Sequence, residues 1–174
     1  MNFNEFLKQE GNLIKGAKNA HVFRQGDADR SLYLIQSGLL KAYYTSEDGK
    51  ESVKSFIVPG EIIGSLTSAY SGGTCSFSLL CLEPSNLVKV PFDMLYEYSQ
   101  KNHEIAKSVI ESLLHFSMKK EKREYEFLCL SAEERYRLIA ETSPDLLRKV
   151  TQNDIARYLG ITPVALSRIK KRIS

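Results

Sequence analysis

The stretch from Gly60 to Ser78, GEIIGSLTSAYSGGTCSFS, has the composition of a loop that could cradle a phosphate. It is rich in Gly and Ser and lies between two strand-like runs. Backbone N–H groups in glycine-rich turns and serine hydroxyls can surround an anion. An anion taken out of water also needs a cation or several oriented donors. Whether this stretch holds a ligand therefore depends on the side chains beside it.

The last 27 residues carry a second kind of chemistry. Residues 148–174 contain seven Lys/Arg against one Asp/Glu, so they account for a local charge of +6 in a chain of net charge +3. A basic end of this kind favours a polyanionic partner, either nucleic acid or an anionic membrane surface. On charge alone, a solvated helix surface is an equally good interpretation.

Metal, redox and catalytic chemistry have little support. The candidate side chains are dispersed: Cys75, Cys81, Cys129, His21, His103 and His115. They form no CxxC pair, no four-ligand set for an iron-sulfur cluster and no His or Cys cluster for haem or a transition metal. Cys75 could be a redox sensor, but a packed thiol is the commoner case. We expect no cofactor, no metal and no enzymatic activity.

Composition places the chain among ordinary globular proteins. Its hydrophobic share is 43% and its charged share 26% over 174 residues, enough for one main core. No apolar run approaches the roughly 20 residues of a membrane span, and the first residues lack the apolar core of a signal peptide. We expect a cytoplasmic protein without a membrane partner.

Three regions differ in their periodicity. Short β-rich runs alternate with turn clusters over residues 21–91, a pattern typical of an antiparallel barrel or jelly roll. Residues 92–142 contain no Gly or Pro and are predicted to be helical, with Ser131 and Glu134 forming a capping box. The predicted division is residues 1–91, an N-terminal helix and barrel; residues 92–130, one long helix; and residues 131–174, the basic domain.

The basic domain contains the local signals of a helix-turn-helix. Thr151 followed by Asp154 predicts an N-cap, and Gly160 allows the positive φ of a sharp turn. Thr162 can cap a second helix that begins at Pro163, where a missing N–H costs nothing. Along that helix the apolar face comprises Ala165, Leu166, Ile169 and Ile173. The opposite face comprises Val164, Ser167, Arg168 and Lys171, as expected of a helix that presents side chains to a major groove.

The order of these motifs resembles the Crp/Fnr (cyclic-AMP receptor/fumarate-nitrate regulator) family of transcription regulators. The resemblance covers residues 21–174. FRQGDADRSLYLIQSGLLKAYYTSEDGKE resembles the opening strands of the family's cyclic-nucleotide-binding barrel, VPGEIIGSL the approach to its ligand cassette, and VTQNDIARYLGITPVALSRIKKRI its helix-turn-helix. It implies an α+β fold with a jelly-roll barrel, a long dimerisation helix and a C-terminal DNA-binding domain.

The resemblance also implies partners and their contacts. A homodimer would place two recognition helices about one duplex turn apart on a pseudo-palindromic site, and RNA polymerase is a further implied partner. The stripe assigned to the dimer interface is Ala106, Val109, Leu113 and Phe116. Arg168 matches the family's guanine-reading arginine; Ser167 lies beside it, and Pro163 and Val164 can offer only apolar contact to a base. The candidate phosphate contacts are Thr151, Gln152, Arg157, Lys170, Lys171 and Arg172.

The same resemblance places an effector pocket at Gly64, Ser65, Cys75 and Ser76. Cyclic-AMP-binding relatives use a Glu for the ribose and an Arg-Ser pair for the cyclic phosphate. Here Ser65 stands at the Glu position and Cys75 at the Arg position, so only Ser76 matches. The Thr-Ser pair that contacts the base falls near Lys120 and Glu121. We expect an effector that is absent or is not cyclic AMP.

An alternative from another class remains open at this point. The chain could be a small-molecule-binding barrel that acts through protein-protein contacts, with its helical tail as an interaction element. DNA selection at two salt concentrations separates the two hypotheses, since sequence-blind binding vanishes with salt.

Overall fold

The computed structural model describes residues 3–173, which form eight strands and eight helices in an α+β arrangement. In chain order the elements are α1 (Phe3–Glu10), β1 (Asn12–Gly16), β2 (His21–Phe23), β3 (Ser31–Ser37), β4 (Leu40–Thr45), β5 (Glu51–Ile57), β6 (Ile62–Ile63), α2 (Leu66–Ala69), β7 (Ser78–Cys81), β8 (Ser85–Pro91), α3 (Phe92–Lys101), α4 (His103–Cys129), α5 (Ala132–Thr142), α6 (Pro144–Lys149), α7 (Gln152–Leu159) and α8 (Pro163–Ile173).

The strands form two four-stranded antiparallel sheets that face each other, which confirms the predicted jelly-roll barrel. Their strand orders are β1-β8-β3-β6 and β2-β7-β4-β5. In β3 the side chains of Tyr33 and Ile35 are buried, whereas their neighbours are partly exposed, because alternate residues of a strand point to opposite faces. Tyr33 and Ile35 meet Leu40, Leu79 and other buried side chains in the core between the sheets.

Strand β4 is covered on both faces, and this positions the basic domain. Leu40 and Ala42 point into the barrel core, while Tyr43 points outward. The outward side chain joins a second apolar cluster that includes Ile155 and Leu159 of α7. Helix α7 therefore packs directly on the outer face of the β4-β5 hairpin.

The region predicted as one long helix over residues 92–130 is divided at Asn102. Its φ of −138° and ψ of 112° are extended, and its side chain accepts hydrogen bonds from the N–H groups of Glu104 and Ile105. Asn is a favoured N-cap residue because its side-chain oxygen satisfies these otherwise unpaired donors. Residues 92–101 thus form a separate helix, and α4 begins afresh beside the barrel, with Ile105 buried.

Candidate functional site

The last two helices form the predicted helix-turn-helix. The Thr151 hydroxyl accepts a hydrogen bond from the Asp154 N–H at 3.1 Å, and α7 ends at Gly160, whose φ is 71°. Only glycine adopts this left-handed conformation without steric cost. Helix α8 begins at Pro163, and the Thr162 hydroxyl accepts from the Ala165 N–H at 3.2 Å. Each cap that the sequence indicates is present.

Helix α8 has one buried and one exposed face, as predicted. Leu166 and Ile169 are buried. The side chains of the outer face are exposed: Val164, Ser167, Arg168 and Lys171. A shallow groove runs along one edge of this face. It is lined by Gln152 at the start of α7 and by four residues of α8: Pro163, Ser167, Lys170 and Lys171. Base-reading and phosphate-contact candidates thus lie side by side.

The structure places the six phosphate-contact candidates in different environments. Arg157 pairs with Glu51 of β5 at 2.6 Å, and Arg172 pairs with Glu133 of α5 at 3.1 Å. Thr151 is used as the cap described above. The remaining three, Gln152, Lys170 and Lys171, lie in the groove. The sequence pattern did not distinguish these groups, because partners on distant elements leave no local signal.

A buried ion pair fixes α7 to the barrel. The Lys41 Nζ of β4 donates to the Asp154 Oδ1 at 2.7 Å, and both side chains are at most 10% exposed. The other carboxylate oxygen of Asp154 accepts from the Thr151 hydroxyl at 2.9 Å. The sequence pattern indicates Asp154 only as a partner of the N-cap, because Lys41 lies 113 positions away.

The predicted effector residues are packed against one another rather than around a cavity. The Ser65 hydroxyl accepts a hydrogen bond from the Ser76 N–H at 3.1 Å, so a backbone donor that a phosphate would need is already occupied. Cys75 is buried, with its thiol 3.7 Å from the Asp29 carbonyl oxygen. A side chain at Gly64 would meet the Ser31 carbonyl oxygen. The assignment of an effector to these four residues stays a prediction.

A large cleft instead separates the barrel from the long helix. Its volume is about 970 Å³, and it runs from β5 and β6 along α4 to the helix-turn-helix. Near the barrel its walls include Tyr44, Ser52, Lys54, Ile62, Phe116 and Lys120. None of Gly64, Ser65, Cys75 and Ser76 belongs to these walls.

Comparisons with known proteins agree with this geometry. Residues 14–102 match the family model of the cyclic nucleotide-binding domain. The chain is 29% identical to the regulatory protein HlyX of Actinobacillus pleuropneumoniae, over 95% of this chain and 75% of that protein. It is 30% identical to the anaerobic regulatory protein of Pasteurella multocida, over 96% of this chain and 66% of that protein. The chain belongs to the Crp/Fnr family of transcription regulators. As a member of this family it is a DNA-binding regulator rather than an enzyme.

Solved structures show the same Crp/Fnr fold. FixK2 from Bradyrhizobium japonicum superposes with a TM-score of 0.76 at 17% identity, covering 94% of this chain and 84% of that chain. The c-di-GMP responsive global regulator CLP of Xanthomonas campestris superposes with a TM-score of 0.77 at 19% identity, covering 98% and 89%. At these identities the likeness is one of fold.

In this Crp/Fnr regulator the predicted dimer stripe of α4 is only partly exposed. Val109 packs on a cluster within its own chain, and the Phe116 ring lies beneath Lys54 of the barrel. Ala106 is half-buried, and Leu113 is 48% exposed. A different row of α4 carries the exposed apolar side chains: Ile110, Leu114, Met118, Tyr125 and Leu128. Two of the four side chains thus pack within the chain, and the assignment of the stripe to a dimer interface stays a prediction.

Arginines near the end of α4 and in α5 contact the helix-turn-helix. The Arg123 guanidinium donates to the Tyr158 carbonyl oxygen and lies 3.7 Å from the Tyr158 ring centroid. Arg135 donates to the carbonyl oxygens of Leu130 at 2.6 Å and Leu159 at 3.0 Å. Both guanidinium groups also lie over the Phe127 ring. The end of α4 is thereby joined to the helix-turn-helix by arginine contacts that the sequence pattern did not reveal.

The structure was also searched for metal-binding clusters and for membrane-spanning helices. Within residues 3–173 no His, Cys, Asp and Glu side chains gather in groups of three or more that could hold a metal ion. In the same range, no helix combines the length and apolarity that crossing a bilayer requires.

Proposed function

We propose that this Crp/Fnr regulator acts as a homodimer that reads a pseudo-palindromic DNA site with the outer face of α8. Its effector, if one exists, is not cyclic AMP. Arg168 reads a guanine, Ser167, Val164 and Pro163 contact neighbouring bases, and Gln152, Lys170 and Lys171 contact phosphates. Contact with RNA polymerase, which the resemblance implies, stays a prediction.

The observation that supports this proposal most strongly is the exposure of Arg168. Its neighbours on the inner face of α8 are buried, and among the residues that the structure describes its guanidinium has no ion pair or hydrogen bond. Several other arginines of the helical region have acceptors within the chain. A planar guanidinium with unused donors matches the O6 and N7 acceptors of guanine.

Selection from random duplexes tests the proposed function directly. We expect an enriched site with two-fold symmetry. At higher salt less DNA should be recovered, but the same sequence should be preferred. Adding cyclic AMP should leave the selected sequence and its recovery unchanged. Enrichment of no sequence at either salt concentration would instead favour the alternative, a barrel that acts through protein-protein contacts.

Replacing Arg168 with Ala should relax specificity at one base position. We expect a loss of about 1–3 kcal/mol on the selected site, the range for one bidentate base contact, and little change on random DNA. Fluorescence anisotropy with both duplexes measures the difference. Lys171→Ala is the matched comparison, because loss of a phosphate contact weakens both complexes alike. Equal losses on both duplexes for Arg168→Ala would rule out a reading role.

Dimerisation is predicted to depend on the exposed row of α4. Its five apolar side chains are between 57% and 78% exposed in the single chain, and exposed apolar surface of this kind is typical of a contact with a protein partner. The double variant Leu114→Lys/Met118→Lys should sediment as one chain of 19.7 kDa, and we expect the unaltered protein to sediment as two. His115→Lys, on another face of α4, is the control and should remain dimeric. A dimeric double variant would place the interface elsewhere.

A further inference from the structure

Two helix ends meet one guanidinium group where α4 joins the helix-turn-helix. The Arg135 Nη1 of α5 donates at 2.6 Å to the Leu130 carbonyl oxygen at the end of α4, and its Nη2 donates at 3.0 Å to the Leu159 carbonyl oxygen at the end of α7. The last carbonyl groups of a helix lack partners within the helix and carry partial negative charge. A planar guanidinium, whose donors have fixed directions, therefore holds the two ends at a defined angle.

The Phe127 ring of α4 contacts both of the arginines that join α4 to the helix-turn-helix. The Arg123 Cζ lies 4.3 Å from the ring centroid, and the Arg135 Cζ lies 4.6 Å from it. The turn of the helix-turn-helix approaches the same ring, since a Cβ atom at Gly160 would lie 3.1 Å from the Phe127 Cε1. We call Arg123, Phe127 and Arg135 the arginine cluster.

The arginine cluster also contacts α7 where α7 packs on the barrel. Arg123 donates to the Tyr158 carbonyl oxygen and lies 3.7 Å from the centroid of the Tyr158 ring. The centroid of this ring lies 5.2 Å from that of the Phe56 ring on β5. Burial lowers the pKa of the Arg123 guanidinium, and a cation-aromatic contact that is shielded from water is stronger than an exposed one. Contacts of the cluster thus hold α7 against the last turns of α4.

The angle between α4 and the helix-turn-helix determines how far apart two recognition helices lie in the proposed homodimer. Recognition helices that read one side of a duplex lie about one turn apart, roughly 34 Å, so that each is roughly 17 Å from the two-fold axis. A rotation of about 10° at that distance moves a recognition helix by about 3 Å, nearly one base-pair step. A small change in this angle would therefore change which spacing between half-sites fits the dimer.

We propose that Arg123 and Arg135 are positioning residues, which set the spacing between the two half-sites that the dimer accepts. The inference rests on the proposed function, because it concerns the DNA site of a homodimer. It is separate from base reading, since these side chains belong to α4 and α5 and not to the outer face of α8. Loss of the cluster should leave the preferred bases of each half-site unchanged and let the distance between the half-sites vary.

Binding to duplexes with different spacers tests this assignment. The half-sites are those that the unaltered protein selects from random duplexes, and the spacer between them is lengthened or shortened one base pair at a time. The unaltered protein should prefer one spacer over its neighbours by about tenfold, because a wrong spacing has to be met by deforming the DNA. The double variant Arg123→Met/Arg135→Met should show a spacer preference at least about threefold smaller.

Controls separate positioning from a general loss of structure. The preferred bases within a half-site should be the same in the double variant as in the unaltered protein. Arg137→Met is the matched control, because Arg137 also lies on α5 but pairs with Glu133 of its own helix at 2.9 Å. It should keep the full spacer preference. Circular dichroism and thermal melting establish that each variant is folded, and if the double variant is not, Arg123→Met and Arg135→Met should each reduce the preference.

An unchanged spacer preference in the folded variants overturns the assignment, and so does the lack of any spacer preference in the unaltered protein. A change in the preferred bases without a change in the preferred spacer also overturns it. If the unaltered protein selects no site with two-fold symmetry, the proposed function fails and this assignment fails with it. The two failures are distinguishable, because in the other cases a symmetric site is still selected.

Discussion

Replacing Lys41 with Met should destabilise the protein by about 3–5 kcal/mol, the usual range when one member of a buried ion pair is removed. The Asp154 carboxylate would remain buried, with the Thr151 hydroxyl as its nearest donor at 2.9 Å and Arg157 at 3.8 Å. Urea unfolding at neutral pH measures the loss. We also expect the packing of α7 on the β4-β5 hairpin to weaken, because this pair joins α7 to β4.

The double variant Lys41→Met/Asp154→Leu distinguishes an uncompensated charge from lost packing. Replacing both partners by apolar side chains of similar volume is often neutral or stabilising, so most of the loss should be recovered. Lys50→Met, at the exposed tip of the same hairpin, is the control and should stay within about 0.5 kcal/mol. A loss below about 1 kcal/mol for Lys41→Met would show that the pair contributes little to holding α7.

Replacing Lys54 with Met should have the opposite effect and increase the free energy of unfolding at neutral pH. Burial, together with repulsion from Lys120 and Lys119, lowers the pKa of Lys54 from 10.5 to about 8. The gap between the ordinary pKa of 10.5 and the folded value of about 8 corresponds to an upper bound of about 3 kcal/mol. Partial solvent contact and the ring faces of Phe77 and Phe116 offset part of it, so we expect a gain of about 1–2 kcal/mol.

The pH dependence gives this second prediction a sharper test. A lysine whose pKa is lowered on folding binds its proton less tightly in the folded state, so its penalty is fully present below pH 8. The penalty declines as the pH rises from about 8 towards 10.5. The difference in unfolding free energy between Lys54→Met and the unaltered protein should therefore shrink over that interval. A variant that is less stable at neutral pH would contradict the account.

Local features of the fold could be predicted from the sequence because their signals lie within a few residues. The capping box of Ser131 and Glu134 is present, and so are the Thr151 cap and the left-handed Gly160. The alternating runs predicted the barrel for the same reason. The break at Asn102 was missed because an asparagine within a charged helical stretch is compatible with either continuation or a cap.

Features that depend on distant residues could not be predicted in this way. Lys41 and Asp154 are separated by 113 positions, and neither has a neighbour that indicates the other. The stripe containing Val109 and Phe116 has the period of a packed helix whether the partner is another chain or the same barrel. The cleft was missed because Lys54 lies on β5 and Lys120 on α4, so that only the fold brings them to one ring.

Strand β5 lies between the cleft and the apolar cluster on which α7 packs. Lys54 lines the cleft, while Phe56 packs in the cluster that contains Ile155 of α7. The same strand therefore borders the cleft and supports the helix-turn-helix, so we expect a change in the position of β5 to affect both.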